Sequence, residues 1–319
     1  MNHRIDTHHH IVPPCWLAEE GPRMAATAVN FDFVAKWTAE RSLEAMDRHG
    51  VATAVTSIST VIIRPDDPKG MQRLTRECNE YAARLAADHP GRFGTFALLP
   101  LPHVDLCLRE IEYCTDVLKV DGFKLQTSYI DRWPGDPAFA PVFDEMNRRR
   151  SVVYFHPTVS VCCADMLPGI HAPLMEYPFD TTRAIASLLF SGTLTRCPNV
   201  SFLFSHGGGT MPMLAYRIVS LAEKNPALRA RLPSGALSEI RRLYFDVVSV
   251  TNPPAMAALL KLMPVGQLLF GSDIPYVQFE ETISGLAESG LNPEELRSIE
   301  CDNALRLMPS LARRAAKAA

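Results

Sequence analysis

Ile5-Asp6-Thr7-His8-His9-His10-Ile11-Val12-Pro13-Pro14 is the stretch whose reading decides the architecture. An open, doubly wound sheet usually turns through glycines after its first strand. This strand runs instead into histidines and prolines. Working outward, β-branched or aromatic runs stand at residues 52–58, 93–98, 122–125, 152–155, 201–204, 244–248 and 268–270, which with 4–7 makes eight. Helix-length stretches separate them at 39–49, 70–88, 106–117, 138–149, 180–196, 211–223 and 254–262, and two more follow at 281–288 and 293–308. Strands alternating with helices, each strand almost continuously apolar, indicate parallel βαβ units covered on both faces. No linker rich in Gly, Ser or charge divides the 319 residues. The prediction is an α/β fold: one (β/α)8 barrel domain over residues 1–319, with extended loops at 11–38 after strand 1 and 157–179 after strand 5. The Ala/Lys/Arg tail at 311–319 is expected to fray.

Composition narrows the function classes. The chain is 47% apolar, which excludes disorder and collagen-like repeats. Its 32 Lys+Arg against 35 Asp+Glu give a net charge of -3, an argument against nucleic acid as a partner. No run approaches the roughly 18 apolar residues of a membrane span. The first residues, Met1 to Asp6, lack a basic and apolar leader, so the expected location is cytoplasmic. Eight cysteines without C-x-x-C spacing are expected to be reduced and mostly buried.

Ten histidines are the more telling count. His8 and His10, two apart at a strand end, share one face of that strand, here the barrel interior. Two converging imidazoles call for a partner, and a divalent metal is the usual one. A tag fragment or a structural pair are the blander readings. His156 ends strand 5 before Pro157, a weak signal alone. His206 ends strand 6 and is followed by Gly207-Gly208-Gly209, which leave the imidazole uncrowded and let backbone approach a ligand. Asp273 follows strand 8 in Gly271-Ser272-Asp273-Ile274-Pro275, as a ligand, an acid/base group or a turn cap. Strands 1, 5, 6 and 8 thus bring metal-competent side chains to one end of the barrel. We read His8, His10, His156 and Asp273 as a mononuclear metal site, with His206 and Asp273 as the catalytic pair. Of the aromatic residues in the long loops, Trp16 is the candidate substrate contact, although such side chains also pack down as core.

The D-x-H-x-H opening, the strand-5 F-H-P, the S-H-G-G-G after strand 6 and the G-S-D-x-P after strand 8 resemble the amidohydrolase superfamily. Within it the chain is similar to amidohydrolase family 2 and the branch of aminocarboxymuconate semialdehyde decarboxylase, with its salicylate-, resorcylate- and carboxyvanillate-type decarboxylases. The likeness runs from Ile5 to about Leu307, and residues 127–158 look most like 6-methylsalicylate decarboxylases. Resorcylate-type enzymes have glutamate where His8 stands, which places this chain nearer the semialdehyde or methylsalicylate type.

The resemblance implies the same ligand set and a catalytic His206. It also implies that Arg217 reaches the substrate carboxylate of a neighbouring subunit, hence a homodimer or larger homo-oligomer. An ordinary solvated arginine is the other reading. Lys124, ending strand 4, either bridges metals as a carbamate, rests at the pocket floor, or contacts the substrate carboxylate. Asp246 in strand 7 is a candidate support for a ligand. The expected activity is metal-dependent, non-oxidative decarboxylation of a small aromatic (ortho-hydroxybenzoate-type) or conjugated carboxylic acid. The alternatives are a hydrolase of lactones, esters or amides, a hydratase, or an inactive binding barrel. The expected cofactor is one divalent ion, zinc, with manganese as the alternative.

Overall fold

A computed structural model describes residues 3–27, 31–60, 63–164, 166–167 and 169–318. Eight strands occur in it: β1 (Arg4–His10), β2 (Val51–Ser57), β3 (Phe93–Leu98), β4 (Gly122–Gln126), β5 (Val152–His156), β6 (Ser201–Phe204), β7 (Tyr244–Asp246) and β8 (Leu268–Leu269). Each pairs in parallel with the next, in chain order. The cylinder closes from the last strand to the first: Thr7 N–H donates to Phe270 O (3.0 Å), Asp273 N–H to His8 O (2.8 Å) and His10 N–H to Ile274 O (2.8 Å). This is the expected (β/α)8 barrel.

Alternation along β5 sorts its residues. Val152 and Tyr154 face the lumen with Ile5, Val55, Phe96, Leu203 and Leu269, while Val153 and Phe155 join the larger cluster between sheet and helices. Phe155 stacks on Phe204 there, ring centres 4.7 Å apart. The lumen is stoppered from below by Ala304, Met308 and Leu311. Near the chain's end Pro309–Ala318 is helical and Ser310 Oγ donates to Asp121.

The first strand breaks its own alternation. Asp6 pairs with Ala54 and His9 with Thr56, so three steps on β1 match two on β2, which is a bulge. The extra residue resets the strand's phase, so that Ile5 and then His8 and His10 all point into the lumen.

Both long connections are built differently from the expected loops. The first contains the helices Pro14–Thr27 and Phe31–Val34. In the second, a short turn at Val161–Cys163 leads into the helix Ala172–Phe190, which begins eight residues before the predicted start. Asp180 anchors that helix: fully buried, it accepts hydrogen bonds from Thr127 Oγ1 (2.5 Å), Ser128 Oγ (2.8 Å) and Trp133 Nε1 (2.8 Å). Among the described residues no helix is long and apolar enough to cross a membrane. All eight cysteines are unpaired.

Candidate active site

Four chain segments deliver the site. β1 carries His8 and His10, and β5 ends on His156. The turns after β6 and β8 present His206 and Asp273 with φ of 53° and 64°. Left-handed backbone costs about 1 kcal/mol or more in a non-glycine residue and is retained where surroundings enforce it. At Asp273 the enforcement comes from the β8–β1 closure bonds; at His206 it comes from Asp246, which accepts its N–H at 2.9 Å.

The donor atoms converge. His8 Nε2 and His10 Nε2 stand 3.1 Å apart, and Asp273 Oδ1 lies 3.2 and 3.0 Å from them. With one atom of His156 the set falls within 4.8 Å. The opposite ring nitrogens are occupied. His8 Nδ1–H donates to Asp246 Oδ2 (2.9 Å), His10 Nδ1–H to Ser57 Oγ (3.2 Å) and His156 Nδ1–H to Pro157 O (3.0 Å). That tautomer leaves three Nε2 lone pairs facing one carboxylate oxygen, a donor set suited to a divalent cation.

Burial and the neighbouring carboxylates set the electrostatics of the cluster. Burial holds His10 down to about 4 and His156 well below the ordinary imidazole value, so neither carries a proton at neutral pH. At His8 burial acts downward too, but Asp273 and Asp246 outweigh it and lift the group to about 10. Asp273 stays ionised: burial opposes this, but His8, His10 and His206 hold its carboxyl well below the usual range.

His206 flanks the cluster, its Nε2 3.4 Å from Asp273 Oδ2 and its ring 5.1 Å from that of His8. Asp246, at the end of β7, joins the two sides. Its Oδ1 accepts the N–H groups of His206 and Val248 (2.9 and 3.1 Å) while its Oδ2 holds His8. Lys124 is buried, 1% exposed, with an Nζ that has no hydrogen-bond partner among the described residues. Register places it beside Tyr154, hence on the lumen face, and burial lowers its amine to about 7.

Other expectations need correction. Trp16 is 1% exposed and its indole N–H donates to Thr60 O (2.8 Å), so it supports the wall from behind and offers almost no surface to a ligand. Phe33 and Trp37 line a separate cleft of about 290 Å³ with Arg41 and Pro275. The glycines after His206 serve packing: a Cβ on Gly208 would meet the Phe245 ring at 2.6 Å, and one on Gly209 the Pro178 carbonyl at 2.1 Å. Arg217 lies exposed on the helix Met211–Lys224, outside this cluster.

The amidohydrolase family model matches residues 5–309. The chain belongs to the amidohydrolase family. It is 34% identical to a decarboxylase of Aspergillus niger, over 96% of this chain and 87% of that one. It is 32% identical to the 6-methylsalicylic acid decarboxylase of Penicillium expansum, over 97% of both. The crystal structure of a dihydroxybenzoic acid decarboxylase from Polaromonas, with bound manganese and the inhibitor 2-nitroresorcinol, superposes with a TM-score of 0.83. At 19% identity it covers 97% of each chain, a likeness of fold.

Two carboxylates outside the donor set organise this amidohydrolase's site. Asp246, in the sequence a candidate support for a ligand, holds both His8 and His206. Asp6 is the closure clasp: it accepts from His8 N–H, His9 Nδ1–H, Ser272 N–H and Ser272 Oγ–H at 2.6–3.1 Å. Partners that hold a ligand typically contribute about 10- to 100-fold in metal affinity. Asp246→Asn is accordingly expected to weaken metal binding by about that factor while the protein stays folded, as read by competition against a fluorescent chelator.

Proposed function

We propose that this amidohydrolase catalyses metal-dependent, non-oxidative decarboxylation of a small aromatic acid of the ortho-hydroxybenzoate type. The observation that carries the reading is the donor set itself: His8, His10, His156 and Asp273, with His206 3.4 Å from the outer oxygen of Asp273. The named decarboxylases among its relatives support the same reaction.

A divalent cation held by these four residues would supply positive charge to grip the substrate carboxylate and its ortho oxygen. Zinc suits three imidazoles and a carboxylate; manganese, bound in the Polaromonas neighbour, is the alternative. The chain's own groups handle the proton. His206 Nε2 holds it beside Asp273, and Asp273 Oδ2 passes it to the ring carbon that bears the carboxylate. The C–C bond then breaks, CO2 leaves, and its bonding pair restores the aromatic ring. Lys124, from the lumen floor, faces the substrate carboxylate. Tyr276 and Tyr177 pack against His10 and His156, ring centres 5.5 and 6.1 Å apart, and wall the site from water.

The protein works as a homodimer. The helix Met211–Lys224 exposes Met213 (76%), Tyr216 (59%) and Leu221 (55%) around Arg217, and an apolar face of that kind marks an interface. In such a dimer Arg217 would contact the substrate carboxylate in the partner's pocket. Light scattering should show a dimer that Met213→Glu with Tyr216→Asp converts to a monomer with activity reduced by more than half. An active wild-type monomer would remove the role of Arg217. The reaction is tested by CO2 release from ortho-hydroxybenzoates by protein loaded with zinc or manganese. Turnover of lactones or esters in its place would overturn the reading.

A further inference from the structure

The turn that carries Asp273 borders two spaces. Its Tyr276 packs against the metal ligand His10, ring centres 5.5 Å apart. Its Ile274 and Pro275 line the cleft of about 290 Å³ that Phe33, Trp37 and the helix Ala39–Arg48 enclose. That volume is at the small end of the range for ligand pockets. The cleft shares no lining residue with the four-residue donor set.

The sequence of the helix makes the room. Residues four and seven apart on a helix share a face, so Arg41, Ala45 and Arg48 stand in one row, and all three line the cleft. The short side chain of Ala45 leaves space between two long cationic ones. Arg48 is matched by Glu44 at 3.0 Å. Arg41 makes no ion pair among the described residues: its Nη1 donates to Lys36 O (2.9 Å), and its guanidinium lies 5.3 Å from the ring centre of Phe33. Phe33 is 43% exposed. A cation without a carboxylate beside an open aromatic ring complements an anion carried on a flat apolar one.

The wall formed by Trp37 is tied to the barrel seam. Trp37 Nε1–H donates to Ser42 Oγ (2.8 Å), Ser42 Oγ–H to His9 Nε2 (2.9 Å) and His9 Nδ1–H to Asp6 Oδ2 (3.0 Å). Ser42, His9 and Asp6 are buried. With Nδ1–H committed to Asp6, the other ring nitrogen of His9 accepts, so each donor in the chain has its acceptor. A wall fixed in this way spares a ligand the cost of ordering it.

We propose that this cleft is a second small-molecule site, separate from the metal centre, that binds an aromatic monocarboxylate with its ring against Phe33 and Trp37 and its carboxylate on Arg41. The site stands whatever reaction the metal centre catalyses.

The probe is benzoate on the metal-loaded protein, followed by calorimetry and by the NMR signal of the Trp37 indole N–H, which Trp37→Phe identifies. Benzoate should bind saturably and shift that signal. Acetate and benzyl alcohol, each carrying half of its chemistry, should bind about tenfold or more weakly. Arg41→Gln, a change to an exposed side chain, should weaken the benzoate-induced shift about 10- to 100-fold in concentration. Ala45→Leu, which fills the space without changing a charge, should remove the shift. An indole signal that benzoate does not move, or a shift undiminished in Arg41→Gln, overturns the proposal; heat without a shift places the ligand at the metal centre instead. Equal binding of acetate would mark an anion contact only, and a signal that moves with protein concentration alone would mark a second copy in the cleft. Either result overturns the site as well.

Discussion

Asp273→Asn is expected to lower kcat by about 10³-fold or more while leaving most of the metal in place. The substitution keeps the shape and one oxygen toward His8 and His10, which stand 3.2 and 3.0 Å from Oδ1. What it removes is the group that can carry a proton at Oδ2, 3.4 Å from His206. Elemental analysis beside the rate assay separates the two roles. Metal retained with activity lost assigns the proton step to Asp273. Metal lost with activity assigns only ligation, and metal retained with more than a tenth of wild-type turnover would end the proposed mechanism. His206→Asn should share the rate loss without touching metal content, because His206 is outside the four-residue donor set.

Asp6→Ala is expected to be the costliest single change to stability away from the donor set. The carboxylate is fully buried and gathers donors from β1 and from the turn after β8, which makes it part of the seam that closes the barrel. Its removal takes the side-chain acceptor from the His8 amide and leaves the Ser272 amide only a 3.4 Å contact to His8 O, in a dry interior. Loss of one member of such a buried network costs about 3–5 kcal/mol. For a domain of this size that is a fall in Tm of about 5–8 °C, measurable by calorimetry. Asp6→Asn, which keeps an acceptor oxygen, should lose less than half as much. A Tm within 1 °C of wild type for Asp6→Ala would show that the seam does not depend on this clasp.

The sequence announced the barrel because a buried parallel strand is a local signal. Residues 93–98 and 201–204 are strands over the predicted spans, and β7 and β8 came out only slightly shorter than read. The histidines and Asp273 were legible for a related reason: polar side chains ending apolar runs stand out. What could not be read depends on relations between distant segments. Nothing local says that Asp246 bonds both His8 and His206, or that Asp6 spans the closing seam. The three glycines looked like room for a ligand because the sequence does not reveal that Phe245 and Pro178 occupy that room. Trp16 was misjudged likewise: whether an aromatic side chain faces a pocket or sits behind its wall depends on what docks on it, here Thr60.

The extra residue in β1 has a consequence for evolution and for engineering. It works as a phase shifter: upstream of it the strand counts odd residues inward, downstream it counts even ones. Any insertion or deletion of one residue between Asp6 and His9 would therefore rotate His8 and His10 out of the lumen, or Ile5 out of the core, without altering a single side chain's chemistry. A relative that conserves every histidine but differs in length there has a different centre, and a designer grafting this motif onto another barrel must transplant the irregularity along with the ligands.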